Sequence, residues 1–250
     1  MNADDATNLA QWRAALPGSV LLDGFHAIKH ALRFGADVRI VLTADRALVR
    51  ALAAELAADT GAYIEDNARD ASERVLRELV PRGSPTSIVA LAARPAAPDP
   101  AACSRATPVV LLENPRNLGN VGAVVRLAAG FGASAVLTTG ELDPWHPTVV
   151  RGAAGLHFAT TVARVGLDEL PDAPVYVLDP EGEDLRESVL PDHAILAFGT
   201  ERHGVSAALR ARADRLVAIP MRPMVSSYNL ATSVGMTLFA WSTSSANAPR

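Results

Sequence analysis

Leu112-Glu113-Asn114-Pro115-Arg116-Asn117-Leu118-Gly119-Asn120-Val121-Gly122-Ala123-Val124-Val125-Arg126 reads as the end of a strand, a turn rich in Asn, Pro and Gly, and a helix starting near Val121. The run Val109-Val110-Leu111-Leu112 leading into it is the short, continuous apolar kind that a strand buried on both faces shows. Gly119 and Gly122 stand at the junction, where a missing side chain lets backbone or ligand come close. Arg126 is out of place in a helix otherwise made of Val121, Ala123, Val124, Val125, Leu127, Ala128 and Ala129. A charge there is paired, turned to solvent or facing a site. Strand, glycine turn and helix also open a dinucleotide site, with Glu141 about where a ribose-binding acid would stand. The spacing argues against that reading: Gly119 and Gly122 form GxxG, position 117 is Asn117, and the three-glycine fingerprint is missing.

Further strands are expected at 135–137, 175–178, 194–198 and 216–219, with helices between them, which predicts a mostly parallel sheet covered on both faces. Two of these strands end in loops resembling the first. Phe198-Gly199-Thr200-Glu201-Arg202-His203-Gly204 is a glycine turn with Glu201 at the carboxyl end of a strand, where α/β proteins place ligand contacts. On its residues alone, helix capping explains Glu201 as well as a functional role does. The third loop, Ile219-Pro220-Met221-Arg222-Pro223-Met224-Val225-Ser226-Ser227-Tyr228-Asn229, is stiffened by Pro223 and feeds a helix from about Tyr228. One of Ser226, Ser227 and Asn229 suffices to cap that helix, which leaves polar groups over for a ligand.

The first 94 residues form a separate small α/β unit with βαβ character. Strands are predicted at 20–22, 38–42, 63–64 and 87–92. Phe25, Ile28 and Leu32 fall at helical spacing, Asp45 caps a helix to about Ala58, and Asn67 caps one carrying Val75, Leu76 and Leu79. Residues 95–107, rich in proline and alanine, form a linker, the second domain covers 108–241, and 242–250 read as a disordered tail.

With 49% apolar and 20% charged residues the chain reads as globular. No apolar run reaches the roughly 18 to 20 residues of a membrane span. The N-terminus, with Asp4 and Asp5, does not read as a signal peptide, and a cytoplasmic protein is expected. Cys103 is the single cysteine and reads as an incidental thiol, and the six histidines lack metal-ligand spacing, so no metal is assigned. The net charge of −4 argues mildly against a nucleic-acid partner. All 23 basic residues except Lys29 are arginine, whose fork suits phosphate, but a GC-rich coding sequence gives the same skew. Charge does not decide the partner.

In order and wording the three loops resemble the SpoU/TrmH branch of the SPOUT methyltransferases, over roughly 108–241. Asn120 followed by Arg126 matches the first motif. Gly199-Thr200-Glu201 with Gly204 matches the second, and Ile219-Pro220-Met221 with Ser227-Tyr228-Asn229 the third. The N-terminal part is similar to the small ribosomal-protein-like RNA-binding domain of such enzymes, through Leu22-Asp23-Gly24-Phe25-His26-Ala27-Ile28. The resemblance implies an α/β fold with a deep trefoil knot, a homodimer with the site completed across its interface, and S-adenosylmethionine bent in the knot. Gly199, Ile219, Met221 and Tyr228 would hold that cofactor. The reaction would be methyl transfer to a ribose 2′-hydroxyl of tRNA or rRNA. The family's account makes the matching arginine the base, assisted by a substrate phosphate. Arg126 would contact that phosphate and either take the proton or stabilise the developing oxyanion, with Asn120, Ser227 and Asn229 positioning the nucleotide and the arginine and Glu201 orienting the site. Arg116, Arg151 and Lys29 are candidate RNA contacts. Two positions depart from the family: Tyr228 stands where leucine is usual, and Ala153 where serine is common. The alternatives are a non-catalytic RNA-binding relative and, further off, a nicotinamide-dependent enzyme.

Overall fold

The computed structural model describes residues 3–80, 82–97, 99, 106–200 and 203–244. Contacts divide the chain into two compact units, one of residues up to 96 together with 153–159, the other of the remainder.

The first unit runs α1 (Ala3–Ala15), β1 (Ser19–Asp23), α2 (Phe25–Arg33), β2 (Val38–Thr43), α3 (Arg46–Leu56), α4 (Gly61–Asn67), β3 (Ala68–Asp70), α5 (Glu73–Leu79) and β4 (Ile88–Ala93). Its sheet has the order β1-β4-β2-β3, with β4 antiparallel to both β1 and β2, and β2 parallel to β3. Asp45 caps α3 as expected, accepting from Leu48 N at 2.9 Å. Tyr63 and Ile64, expected in a strand, lie in α4. Gly61 packs so closely on α3 that a Cβ there would sit 2.9 Å from Ala53 Cβ, so this stretch packs as a helix. Ala68–Asp70 supplies the strand instead. Asn67 does not cap the following helix. Its side chain donates back to Tyr63 O at 2.9 Å, and Ser72 caps α5 by accepting from Val75 N. Helix α1 escaped the sequence reading. Leu9 and Trp12, one turn apart, are its buried anchors, and Asp5 accepts from Ser72 N at 3.0 Å.

The second unit runs β5 (Val109–Leu112), α6 (Leu118–Phe131), β6 (Ala135–Thr138), α7 (Pro147–Gly152), β7 (Thr161–Arg164), β8 (Val175–Asp184), β9 (Ile195–Phe198), α8 (Ala207–Ala211), β10 (Arg215–Ala218) and α9 (Leu230–Thr243). Six strands in the order β10-β8-β9-β5-β6-β7 are all parallel, so their carboxyl ends open along one edge. Every residue of β5, β6 and β9 is buried, as a parallel sheet covered on both faces requires. Odd-numbered residues such as Val109, Leu111, Leu137, Val177 and Ile195 share one core with Leu209 of α8.

Helix α6 begins three residues before Val121, because Asn117 caps it, accepting from Gly119 N at 2.9 Å and Asn120 N at 3.1 Å. Gly132 ends it in the left-handed conformation. Gly122 is where α6 meets α7: a Cβ there would lie 2.7 Å from Val149 O. Helix α9 runs through Thr243, past the position 242 at which a disordered tail is expected; 245–250, like most of the predicted linker and Cys103, lie outside the described residues. Among the described residues no helix is long and apolar enough to cross a membrane.

Candidate active site

The middle of β8, the carboxyl ends of β9 and β10 and the loop between β10 and α9 surround a cavity of about 590 Å³. Phe198, Val217, Ile219, Met221 and Leu230 give it apolar walls, and Thr200, Ser226, Ser227 and Ser233 add hydroxyls. Gly199, Ile219, Met221 and Tyr228, the expected cofactor contacts, all line it, as does Ser227.

The turn after β9 is tied to itself. Thr200 N donates to Gly204 O at 2.9 Å and Gly204 N to Thr200 O at 3.0 Å, while His203 N donates to the Thr200 hydroxyl. A Cβ on Gly199 would fall 2.1 Å from the Gly204 carbonyl carbon, so this fold of the chain admits only glycine there. Glu201 lies outside the described residues.

The loop from β10 to α9 is exposed from Pro220 on, apart from half-buried Met221, and Met224 sits at its tip with a φ of 73°. The Tyr228 hydroxyl donates to Pro220 O at 3.3 Å and draws the two ends of the loop together. Asn229 ends it. Its Oδ1 caps α9, accepting from Ala231 N at 2.9 Å, and its Nδ2 donates to Asn120 Oδ1 at 3.1 Å. The two asparagines thus join the first turn of α6 to the start of α9. They do not line the cavity, and neither does Arg126.

Arg126 lies on the outward stripe of α6 with Gly119 and Gly130, exposed, and makes no hydrogen bond or ion pair among the described residues. Of the meanings a charge in that helix can have, an ion pair is therefore removed among the described residues. Arg116 is exposed, and Arg151, near the end of α7, is half-buried. Lys29 is buried in the first unit, and burial lowers its ammonium pKa from the ordinary lysine value. That position does not suit a phosphate contact, which needs the head group at the surface.

The sequence reading missed two features of this edge. Glu113, buried at the end of β5, accepts from Ser206 N at 2.7 Å and from Ser206 Oγ at 2.5 Å, fastening the first loop to the cap of α8. Asp179, Glu181 and Arg210 line the cavity as an ion-paired trio. Asp179 and Glu181 lie just past the predicted end of β8, and Arg210 on a short helix with no motif, so spacing offered no signal.

The model for the SpoU rRNA Methylase family matches residues 107–239. The chain is 36% identical over 149 residues to ribosomal RNA small subunit methyltransferase G 2 of Syntrophobacter fumaroxidans, covering 58% of this chain and 28% of that protein. It is 26% identical over 227 residues to the 23S rRNA (guanosine(2553)-2′-O)-methyltransferase RlmP of Bacillus subtilis, covering 88% and 86%. The chain spans about half or less of the length of several curated relatives it matches. In fold it resembles the SpoU methyltransferase AviRb of Streptomyces viridochromogenes, whose crystal structure is a complex with S-adenosylmethionine. The TM-score is 0.77 at 24% identity, over 96% of this chain and 97% of that one. The matched span holds all three strand-end loops and more than half of the residues, and the chain belongs to the SpoU rRNA methylase family.

Proposed function

We propose that the protein is an S-adenosylmethionine-dependent RNA methyltransferase that methylates a ribose 2′-hydroxyl of rRNA or tRNA. The observation that carries this reading is the cavity built by the second and third family loops at the carboxyl edge of a parallel sheet. Its volume lies within the roughly 300–1,000 Å³ of small-ligand pockets. The apolar walls suit a nucleobase, the hydroxyls a ribose, and the self-bonded Gly199–Gly204 turn gives a wall without bulky side chains at its two glycines. Gly199, Ile219, Met221 and Tyr228 would hold the cofactor, which when bound supplies an electrophilic methyl on a sulfonium.

The remaining roles belong to this chain. A ribose hydroxyl is a weak nucleophile, and negative charge grows on its oxygen as its proton leaves. Arg126, free of internal partners among the described residues, is available to an RNA phosphate and to that developing charge. A guanidinium is protonated at any physiological pH, so Arg126 acts first as an electrostatic partner while the substrate phosphate it holds takes the hydroxyl proton; acting as base itself would need a strong perturbation. Asn120 and Asn229 position the helix that carries it, Ser227 orients the nucleotide at the cavity mouth, and Glu201 completes the second loop. Arg116 and Arg151 extend the RNA surface. The family and the six-stranded parallel sheet support a knotted C-terminal domain. We also read the enzyme as a homodimer, which would cover Phe239, 60% exposed on α9, and as cytoplasmic. The N-terminal unit takes the role of RNA-binding domain.

Thermal melting with S-adenosylmethionine and, separately, with NAD tests the cofactor. A rise with the first alone is expected, and a rise with NAD alone would overturn the reading.

A further inference from the structure

Strand β8 pairs with β10 in two stretches. Arg215 and Leu216 lie opposite Tyr176 and Val177, and the next residues of β10, Val217 and Ala218, lie opposite Glu183 and Asp184. Residues 178–182 have no partner on β10, and Leu178, Asp179, Pro180 and Glu181 of this bulge line the cavity. Gly182 brings the chain back so close to β10 that a Cβ would sit 2.4 Å from the Leu216 carbonyl carbon. Bulges in sheets re-aim side chains, and this one delivers two carboxylates to the cavity wall.

Arg210, from α8, meets both. Its Nη1 donates to Asp179 Oδ2 at 2.5 Å and its Nη2 to Glu181 Oε2 at 2.6 Å. Asp179 is buried, and its other oxygen accepts from Glu181 N at 2.9 Å, so its capacity is committed to holding the bulge and the arginine. Glu181, with a side chain 77% exposed, and Arg210, at 39%, keep free valence towards the cavity. These three carry the formal charges among the described lining residues. Their sum is one negative charge.

We infer that this trio recognises the charged amino-acid end of S-adenosylmethionine, Arg210 pairing with its α-carboxylate and Glu181 with its α-ammonium; the inference rests on the cofactor reading above. A zwitterion leaving water needs charged partners of opposite sign at matching places, and the other described lining residues are apolar or neutral hydroxyls and amides apart from His203. The Arg–Glu pair supplies one partner of each sign, prearranged, with buried Asp179 fixing the guanidinium. The net negative charge of the trio also favours the cationic sulfonium cofactor over a neutral sulfide.

Titration calorimetry of the whole chain with S-adenosylmethionine, S-adenosylhomocysteine and 5′-methylthioadenosine separates the contributions, because the last lacks the amino-acid end. Glu181→Gln and Arg210→Lys should each weaken the first two ligands about fivefold or more while changing 5′-methylthioadenosine by less than about twofold. Glu181 is exposed, so its variant keeps the fold even if the arginine change disturbs Asp179, and melting curves check both. Equal losses for all three ligands, or no loss for any, would overturn the inference while leaving the cofactor reading in place. Wild-type protein that bound none of the three would overturn both.

Discussion

Asn229 uses both ends of one amide, capping α9 with its oxygen and holding Asn120 with its nitrogen. Asn229→Ala removes both and should lower stability by about 1 kcal/mol, as loss of an N-cap does. Asn229→Asp keeps an acceptor for the cap and loses the donor to Asn120. It should therefore melt near the wild-type temperature yet transfer methyl groups more slowly; equal loss of stability in both variants would show that the tie to Asn120 is the structural part. Lys29 gives a second test at this scale. Burial holds its pKa below the unfolded value of 10.5, so between the folded and unfolded pKa values the unfolded chain binds more protons. Stability contributed by this site accordingly rises with pH up to about 10.5, and Lys29→Met should melt higher at neutral pH and lose that alkaline rise. Denaturant titrations across this range measure it, and a variant that melted lower would refute the desolvated state of the ammonium.

Among the elements, those whose apolar runs are continuous were legible. Strands β5, β6 and β9 stand within a residue of their expected bounds, because a strand buried on both faces announces itself without periodicity. Tyr63-Ile64 misled, since two apolar residues carry neither period and the close approach at Gly61 decided for a helix. Helix α7 and strand β7 had no clear pattern: α7 is six residues long, and β7 is an edge strand with only Val162 and Ala163 buried. The close contact of α6 and α7 is open to test. Gly122→Ala places a methyl 2.7 Å from Val149 O and should destabilise by about 1–3 kcal/mol, read from urea unfolding, because backbone on both sides must shift. A neutral effect would mean that α7 is free to move aside. Of the site, the loops were legible as motifs, but Asp179, Glu181 and Arg210 were not. They meet only through a bulge and a short helix, which are long-range facts that local sequence does not carry.

For the whole molecule, strand and helix alternation pointed to a parallel sheet. The strand order β10-β8-β9-β5-β6-β7, which sets β8, β9 and β10 side by side around one cavity, follows from no local pattern. The acidic balance of −4 describes the chain and not its surface, so it bears on solubility more than on the RNA surface. Phosphate contacts through Arg116, Arg126 and Arg151 would make RNA affinity fall steeply with salt. Transfer of labelled methyl from S-adenosylmethionine to ribosomal and transfer RNA, with digestion to nucleosides, tests the central claim most directly. Wild-type protein should yield a 2′-O-methylnucleoside, and Arg126→Ala should be slower by about a hundredfold with cofactor binding unchanged. Label on a base atom, or transfer at the full rate by the variant, would contradict the account.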